Sequence, residues 1–193
     1  MKKSFLIIAV LFLFTSISFS QNFATKGTIE AGGSIGFSST TTVSNGVSST
    51  NSTSIFRVEP YVGYFVINSL ELGIVPSFTT SSFGDNSSTS FGAYFAPAWN
   101  FNLKSNLFPF LEGRIGYNTS SNDDGDPDTE NPSYSGIAWG VKGGVKVKLG
   151  NSGLFNVAVS YDQITMNPKD WDGNRNGENI LAVNAGFTVF FGR

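Results

Sequence analysis

Apolar side chains alternate with small or polar ones along most of the chain from residue 28 onward. A two-residue period is that of a β-strand whose two faces meet different surroundings. Eight segments carry this alternation, and turn-forming residues separate them. They span residues 28–37, 55–66, 70–78, 90–101, 107–117, 137–149, 154–161 and 180–191. The pattern therefore predicts an all-β protein of eight strands.

The charged residues within these segments share one face. When each face is assigned from its apolar members alone, the charges occupy the opposite face: Glu30, Arg57, Glu59, Glu71, Glu112, Arg114, Lys142, Lys146, Lys148 and Asp162. In a closed membrane barrel, lipid meets the apolar face and the lumen holds the charges. We therefore predict an eight-stranded antiparallel up-and-down transmembrane β-barrel. Its lumen is expected to hold a structural charge network of Glu30, Arg57, Glu59, Glu71, Glu112, Arg114, Lys142 and Lys146.

The connections between the segments alternate in length. Those near residues 67–69, 103–106 and 150–153 are short, whereas those near 38–54, 79–89, 118–135 and 163–179 are long and rich in Ser, Thr, Asn, Asp and Gly. Short turns at one rim and long loops at the other are typical of outer-membrane barrels. An even strand count places both termini at the short-turn, periplasmic rim. Contacts with an extracellular ligand, if any, are then expected from the long loops.

The first twenty residues have the layout of a secretory signal peptide. Lys2 and Lys3 form a positive start, residues 5–14 are apolar, and residues 15–20 form a stretch of mostly small side chains. This predicts cleavage after Ser20, which leaves a barrel domain of residues 21–193. The apolar run is shorter than the ~20 residues that a transmembrane helix needs. Export and the apolar strand faces together predict a bacterial outer-membrane location.

Four prolines conflict with an uninterrupted ladder. Pro60, Pro76, Pro97 and Pro109 lie inside the predicted strands. Proline lacks the backbone donor of the ladder, and a closed barrel has no edge strand to accommodate it. Local bulges or kinks are therefore expected at these positions.

Composition excludes several kinds of active site. The chain has no cysteine and no histidine, so it cannot form Ser-His-Asp or Cys-His nucleophile systems or histidine metal sites. Charged residues make up 13% of the chain, against about 25% in a typical soluble domain. The net charge of −2 gives no indication of nucleic-acid binding.

Two loop motifs contain potential metal ligands. Asp172, Asn174 and Asn176 match the start of an EF-hand loop, but its twelfth position is Val183 instead of the bidentate glutamate. The second motif, residues 123–130, is densely acidic. Solvated polar loops account for both motifs more simply than a calcium site does.

Residues 60–73 read PYVGYFVINSLELG. This hairpin resembles the small outer-membrane β-barrel domain family common in Bacteroidota, which is similar to the OmpA transmembrane domain and OmpX. That family often carries Pro-x-x-Gly-Tyr-Phe-Val, a short turn and Leu-x-Leu-Gly. The closing strand at 186–191 is also similar, although the chain ends on Gly192 and Arg193 and not on the aromatic residue itself. The resemblance implies a barrel without shared catalytic residues or cofactors. Its implied partners are outer-membrane lipid and, during insertion, the barrel-assembly machinery.

Four functions fit these features to different degrees. The leading hypothesis is a non-enzymatic barrel with a structural or surface-interaction role, because the interior of an eight-stranded barrel is just wide enough for side chains. A barrel that binds or passes a small ligand or ion is the first alternative. A lipid-modifying outer-membrane enzyme is disfavoured, since the chain has no histidine to act as a base. A soluble lipocalin-like barrel would need the two faces reversed.

Overall fold

The computed structural model describes residues 22–83, 86–123, 133–166, 174 and 176–192. The strands are β1 (Ile29–Ser44), β2 (Val47–Ile67), β3 (Leu70–Phe83), β4 (Asn86–Asn100), β5 (Leu107–Asp123), β6 (Ser133–Leu149), β7 (Gly153–Thr165) and β8 (Gly177–Phe191). Each strand pairs antiparallel with the next, and β8 pairs with β1, so the sheet closes in chain order. The predicted eight-stranded up-and-down barrel is thereby confirmed. Within the described ranges, no helix is long and apolar enough to cross a membrane. The predicted signal peptide, residues 1–20, lies outside them.

The strand register decides which side chains face outward. Ile35 of β1 lies opposite Val58 of β2 on one side and Ala185 of β8 on the other. On β5, the side chain of Leu111 is 59% exposed, whereas Glu112 is 4% exposed. The barrel therefore has an apolar outer surface and a polar interior, which is the reverse of what a soluble lipocalin-like barrel requires.

Three of the four prolines, Pro60, Pro76 and Pro97, interrupt the ladder without shifting its register. Pro60 and Pro76 face each other, and the pairing of β2 with β3 is absent at their rung and at the rungs on either side. Pairing of β4 with β5 is likewise absent around Pro97, whereas Pro109 pairs with Val145. The register is the same on both sides of each gap. Of the predicted bulges or kinks, the bulges are therefore wrong, because each proline removes a donor but inserts no extra residue.

The register shifts lie elsewhere. One falls between Thr41 and Val43 in the pairing of β1 with β2, and the other between Phe65 and Ile67 in the pairing of β2 with β3. Both are close to the ends of a hairpin, at the two rims of the barrel. The strands meet a turn at these places, and an extra residue there disturbs few rungs of the ladder.

The predicted long loop at residues 38–54 is wrong. The strands β1 and β2 continue through this stretch and are joined by the two-residue turn Asn45–Gly46. The φ angles of 48° at Asn45 and 79° at Gly46 are those of a type I′ turn, which Asn-Gly favours because both positions need positive φ. The other strands also extend beyond their predicted ends at this rim. Serine and threonine there belong to paired strands, not to loops.

The N-terminal segment, residues 22–28, folds against the short-turn mouth of the barrel. Phe23 is buried and packs with Ala24, Phe65, Phe108, Leu154 and Phe190. Backbone bonds hold the segment in place: Gly27 N–H donates to Phe65 O, and Phe65 N–H donates to Thr28 O, both at 2.9 Å. We call the cluster of Phe23, Phe65, Phe108, Leu154 and Phe190 the phenylalanine plug, because it closes the lumen at this end.

Candidate functional site

The lumen charges come from six strands. Because they occupy every second position, Arg57 and Glu59 of β2 share a face, as do Glu112 and Arg114 of β5. The remaining members are Glu30 of β1, Glu71 of β3, Lys142 and Lys146 of β6 and Asp162 of β7. All these side chains are buried inside the barrel except that of Lys142, which is 11% exposed. The structure thus brings together all eight residues of the predicted network.

The first group of contacts, which we call the arginine cluster, contains Arg57, Glu59, Glu112, Arg114, Lys142 and Asp162. Arg114 donates from Nη1 to Glu59 Oε1 and from Nη2 to Glu112 Oε1, both at 2.8 Å. Arg57 Nη1 donates to Asp162 Oδ2 at 2.8 Å, and Lys142 Nζ donates to Glu59 Oε2 at 3.0 Å. Three cations thereby face three carboxylates, so this cluster is balanced in charge.

The second group, the lysine cluster, lies around Lys146. Its ammonium donates to Glu30 Oε2 at 2.6 Å and to Glu71 Oε2 at 3.1 Å. Thr188 Oγ1 donates to Glu30 Oε1 at 2.6 Å, and Asn100 Nδ2 donates to Glu71 Oε2 at 3.1 Å. Two neutral donors thus help one ammonium to stabilise two buried carboxylates, which would otherwise repel each other.

Aromatic rings complete the surroundings of Lys146. Its Nζ lies 5.2 Å from the ring centre of Phe23, 5.5 Å from that of Tyr61 and 5.3 Å from that of Phe110. Rings within about 6 Å attract a cation through the negative potential of their faces. Lys146 therefore links the lysine cluster to the phenylalanine plug through Phe23.

Between the two clusters, the described residues leave little space in the lumen. A cavity of about 40 Å³ lies between the clusters and is lined by charged side chains, by Asn156 and Asn184, and by apolar groups that include Val75 and Phe110. The side-chain oxygens of both asparagines have no hydrogen-bond partner within the protein. A polar cavity needs about 10–15 Å³ for each water molecule. This one can therefore hold a few waters, but no larger solute.

The clusters have little capacity for catalysis. The carboxylates of Glu30, Glu59, Glu71, Glu112 and Asp162 each lie within 3.1 Å of a cationic nitrogen. They are thus held in ion pairs and not presented to a substrate. Toward the long-loop end, Val75, Tyr94, Ile164 and Ile180 belong to a second apolar layer. Among the described residues, no group of three acidic side chains is placed to hold a metal ion.

The loop motifs are only partly described. Asp172 and most of the acidic run at 123–130 lie outside the described residues, so the EF-hand hypothesis stays a prediction. Asn176 Oδ1 accepts a hydrogen bond from Asn45 N–H at 2.7 Å. This contact ties the connection between β7 and β8 to the β1–β2 turn.

Sequence reasoning missed three partners of the charges. Asn100 and Thr188 lie at inward positions near the ends of β4 and β8. The two-residue period contained the signal for both, since each has the parity of its strand's inward face. Phe23 carried no such signal, because it precedes the first strand.

Comparisons with known proteins agree on the fold. No protein-family model matches the sequence, and no curated protein is significantly similar to it. Among solved structures, the chain is similar to Neisserial surface protein A, with 17% identity, a TM-score of 0.68 and coverage of 86% of this chain and 100% of that chain. The outer membrane protein OprG from Pseudomonas aeruginosa has 14% identity, a TM-score of 0.51 and coverage of 88% and 98%.

A third similar structure is Ail, the attachment invasion locus protein of Yersinia pestis, in complex with the heparin analogue sucrose octasulfate. It has 16% identity, a TM-score of 0.51 and coverage of 86% of this chain and 100% of that chain. At these identities the similarity establishes a shared barrel architecture.

Proposed function

We propose that this protein is a bacterial outer-membrane β-barrel with a non-enzymatic structural or surface-interaction role. The observation that carries the proposal is the outer surface. Ile35, Val62, Leu111 and Val183 are each at least half exposed, on four different strands. The surface of a soluble monomer rarely has contiguous apolar patches larger than a few hundred Å². In a bilayer, acyl chains surround this apolar outer surface, so that it is not exposed to water.

The lumen supports a role that does not involve transport. Between the two clusters, ion pairs and side chains of the described residues fill the lumen, and the cavity of about 40 Å³ there is too small for a solute path. The phenylalanine plug closes the short-turn end. These features disfavour the alternative of a barrel that passes a small ligand or ion. The paired carboxylates and the lack of histidine disfavour a lipid-modifying enzyme.

The strand ends and connections at the rim opposite the short turns would carry any specific contact at the cell surface. The sequence places nine acidic and two basic residues in the predicted connections 79–89, 118–135 and 163–179. A heparin analogue, as bound by Ail, is strongly anionic and would be repelled by such a surface. The charge pattern therefore supports a cationic or neutral extracellular partner. The resemblance of residues 60–73 to the Bacteroidota family supports the proposal that this protein is a member of that family.

Fractionation tests the membrane proposal. In cells, we expect the protein in the outer-membrane fraction, where detergent is needed to extract it. The folded barrel should migrate differently on gels before and after boiling, since its closed sheet resists unfolding by detergent alone. A soluble, monodisperse protein in plain buffer would contradict the proposal.

Adjacent residues of β5 allow a sharper test at the level of single side chains. We expect an environment-sensitive fluorophore at Leu111→Cys to be strongly quenched by brominated lipid tails, because this position faces outward. At Glu112→Cys, quenching should be much weaker, since neighbouring side chains leave a strand on opposite faces. The chain has no native cysteine, so neither label competes with background. Tail-independent fluorescence at both positions would count against the membrane barrel. The reverse order would contradict the assignment of the faces.

A further inference from the structure

The charged side chains described at the short-turn mouth of the barrel are all positive. Its described residues are 22–28, 67–70, 100–107, 148–153 and 191–192. The charged residues among them are Lys26, Lys104 and Lys148, and none is acidic. The predicted connections at the opposite rim of the barrel are mostly acidic, as described above. An electropositive mouth raises the local concentration of anions.

A pocket lies at this mouth, outside the phenylalanine plug. It encloses about 420 Å³, and three separate parts of the chain line it: the N-terminal segment, the β4–β5 connection and the end of β6. Its apolar floor is formed by Phe23 and Phe108. The volume is within the range of about 300–1,000 Å³ that is usual for small-molecule sites. The plug separates this pocket from the lumen clusters.

The polar lining of the pocket is dominated by donors. Its polar lining residues include Lys104, Asn22, Asn102 and Asn106, together with Lys148, whose Nζ lies 5.3 Å from the ring centre of Phe190. Asn102 Oδ1 accepts a hydrogen bond from Lys104 N–H at 3.0 Å. This leaves the side-chain NH₂ group of Asn102, which can only donate, for other contacts. Among the residues that the structure describes, no aspartate or glutamate lines the pocket.

These donors suit a phosphate group better than a carboxylate. Phosphate offers oxygens in several directions and is commonly bound by lysine as a point charge. A planar carboxylate has only two oxygens, which lie in one plane, so it can accept from fewer donors that come from three separate parts of the chain. We propose that this pocket binds a phosphate-bearing ligand, which then holds the N-terminal segment to the β4–β5 connection and to β6.

The phosphate could come from a soluble molecule or from the headgroup of a phospholipid in the periplasmic leaflet. The lipid source rests on the proposed membrane function, whereas the pocket itself does not. Binding is therefore measured on the whole purified protein in nonionic detergent and in lipid nanodiscs. One arm uses inorganic phosphate and glycerol phosphate. The other uses nanodiscs of phosphatidylglycerol diluted in the phosphate-free lipid digalactosyldiacylglycerol, all at constant ionic strength with chloride as the balancing anion.

We expect saturable shifts of the backbone amide NMR signals of residues 102–106 on addition of the phosphate-bearing ligand. Lys104→Gln should weaken binding about tenfold or more, since it removes a charged hydrogen-bond donor. Lys104→Arg should retain most of the affinity. The matched control is Lys26→Gln, which removes the same charge from the same rim outside the pocket and should change affinity less than twofold.

The outcomes separate the sources and can overturn the proposal. A response to the soluble phosphates indicates a site for a free ligand, whereas a response only to phosphatidylglycerol indicates a lipid headgroup site. Absence of saturable shifts in both arms would overturn the proposal, as would equal weakening by Lys104→Gln and Lys26→Gln. A barrel that fails the fractionation test can still bind soluble phosphate, so failure here is distinct from failure of the proposed function.

Discussion

Replacement of Arg114 by methionine is expected to destabilise the barrel by about 3–5 kcal/mol. The guanidinium forms ion pairs of 2.8 Å with Glu59 and with Glu112, and Asp162 lies 3.6 Å away. Methionine fills much of the same volume but leaves these buried carboxylates without that cation. The cost arises from the stranded charges and not from a cavity. Unfolding by urea in lipid vesicles, followed by tryptophan fluorescence, measures the difference.

Three further variants make this experiment specific. Lys26→Met removes an exposed cation and should change the free energy of unfolding by less than about 0.5 kcal/mol. Arg114→Lys should fall between wild type and Arg114→Met, since lysine keeps the charge but not the two-pronged geometry. Glu112→Gln combined with Arg114→Met should recover part of the loss, because it removes one stranded charge. Equal midpoints for Arg114→Met and Lys26→Met would contradict the structural role of the arginine cluster.

Replacement of Phe23 by alanine is expected to cost about 3–5 kcal/mol if the N-terminal segment unfolds together with the barrel. The ring centre of Phe23 lies 5.2 Å from that of Phe65, 4.9 Å from that of Phe108 and 5.2 Å from that of Phe190. Alanine leaves a hole in the phenylalanine plug and removes one of the rings around Lys146. Water should then reach the lysine cluster from the short-turn mouth.

Hydrogen exchange shows whether the plug opens. In Phe23→Ala, the amide of Phe65, which donates to Thr28 O, should exchange much faster than in wild type. Amides in the middle of β5 should change little. Phe23→Leu is the matched control, because it keeps apolar volume and should lose less protection. Unchanged exchange at Phe65 in Phe23→Ala would contradict the plug.

The hydrophobic pattern was sufficient to assign the outward and inward faces of the strands. A strand places neighbouring side chains on opposite sides, so the parity of Leu111 and Glu112 could be read from their neighbours along the chain. The same parity assigned Glu30, Arg57 and Lys146 to one face before their partners were known. The pattern failed where polar residues lie in paired strands: the stretch at 38–54 was interpreted as a loop, although Asn45 and Gly46 carry the signal of a tight hairpin.

The prolines show a second limit of the sequence. The lack of an N–H group at Pro60 and Pro76 could be predicted, but their position on the same rung could not. That position depends on the register of β2 against β3. Once they face each other, both missing donors fall at one place, and the ladder continues in register on either side. A bulge would instead have turned every following side chain to the other face.

By itself, the sequence determined the number of strands, the apolar outer face and the set of charges inside, because these follow from a local two-residue period and from residue chemistry. Only the tertiary structure decided which charges pair. Lys146 meets Glu30 and Glu71 from strands far apart in the chain, and this depends on how the sheet tilts and staggers as it closes. Closure also created the site for Phe23, which lies outside the strands. Its burial depends on a mouth lined by Phe65, Phe108 and Phe190, and that mouth exists only once the barrel has closed.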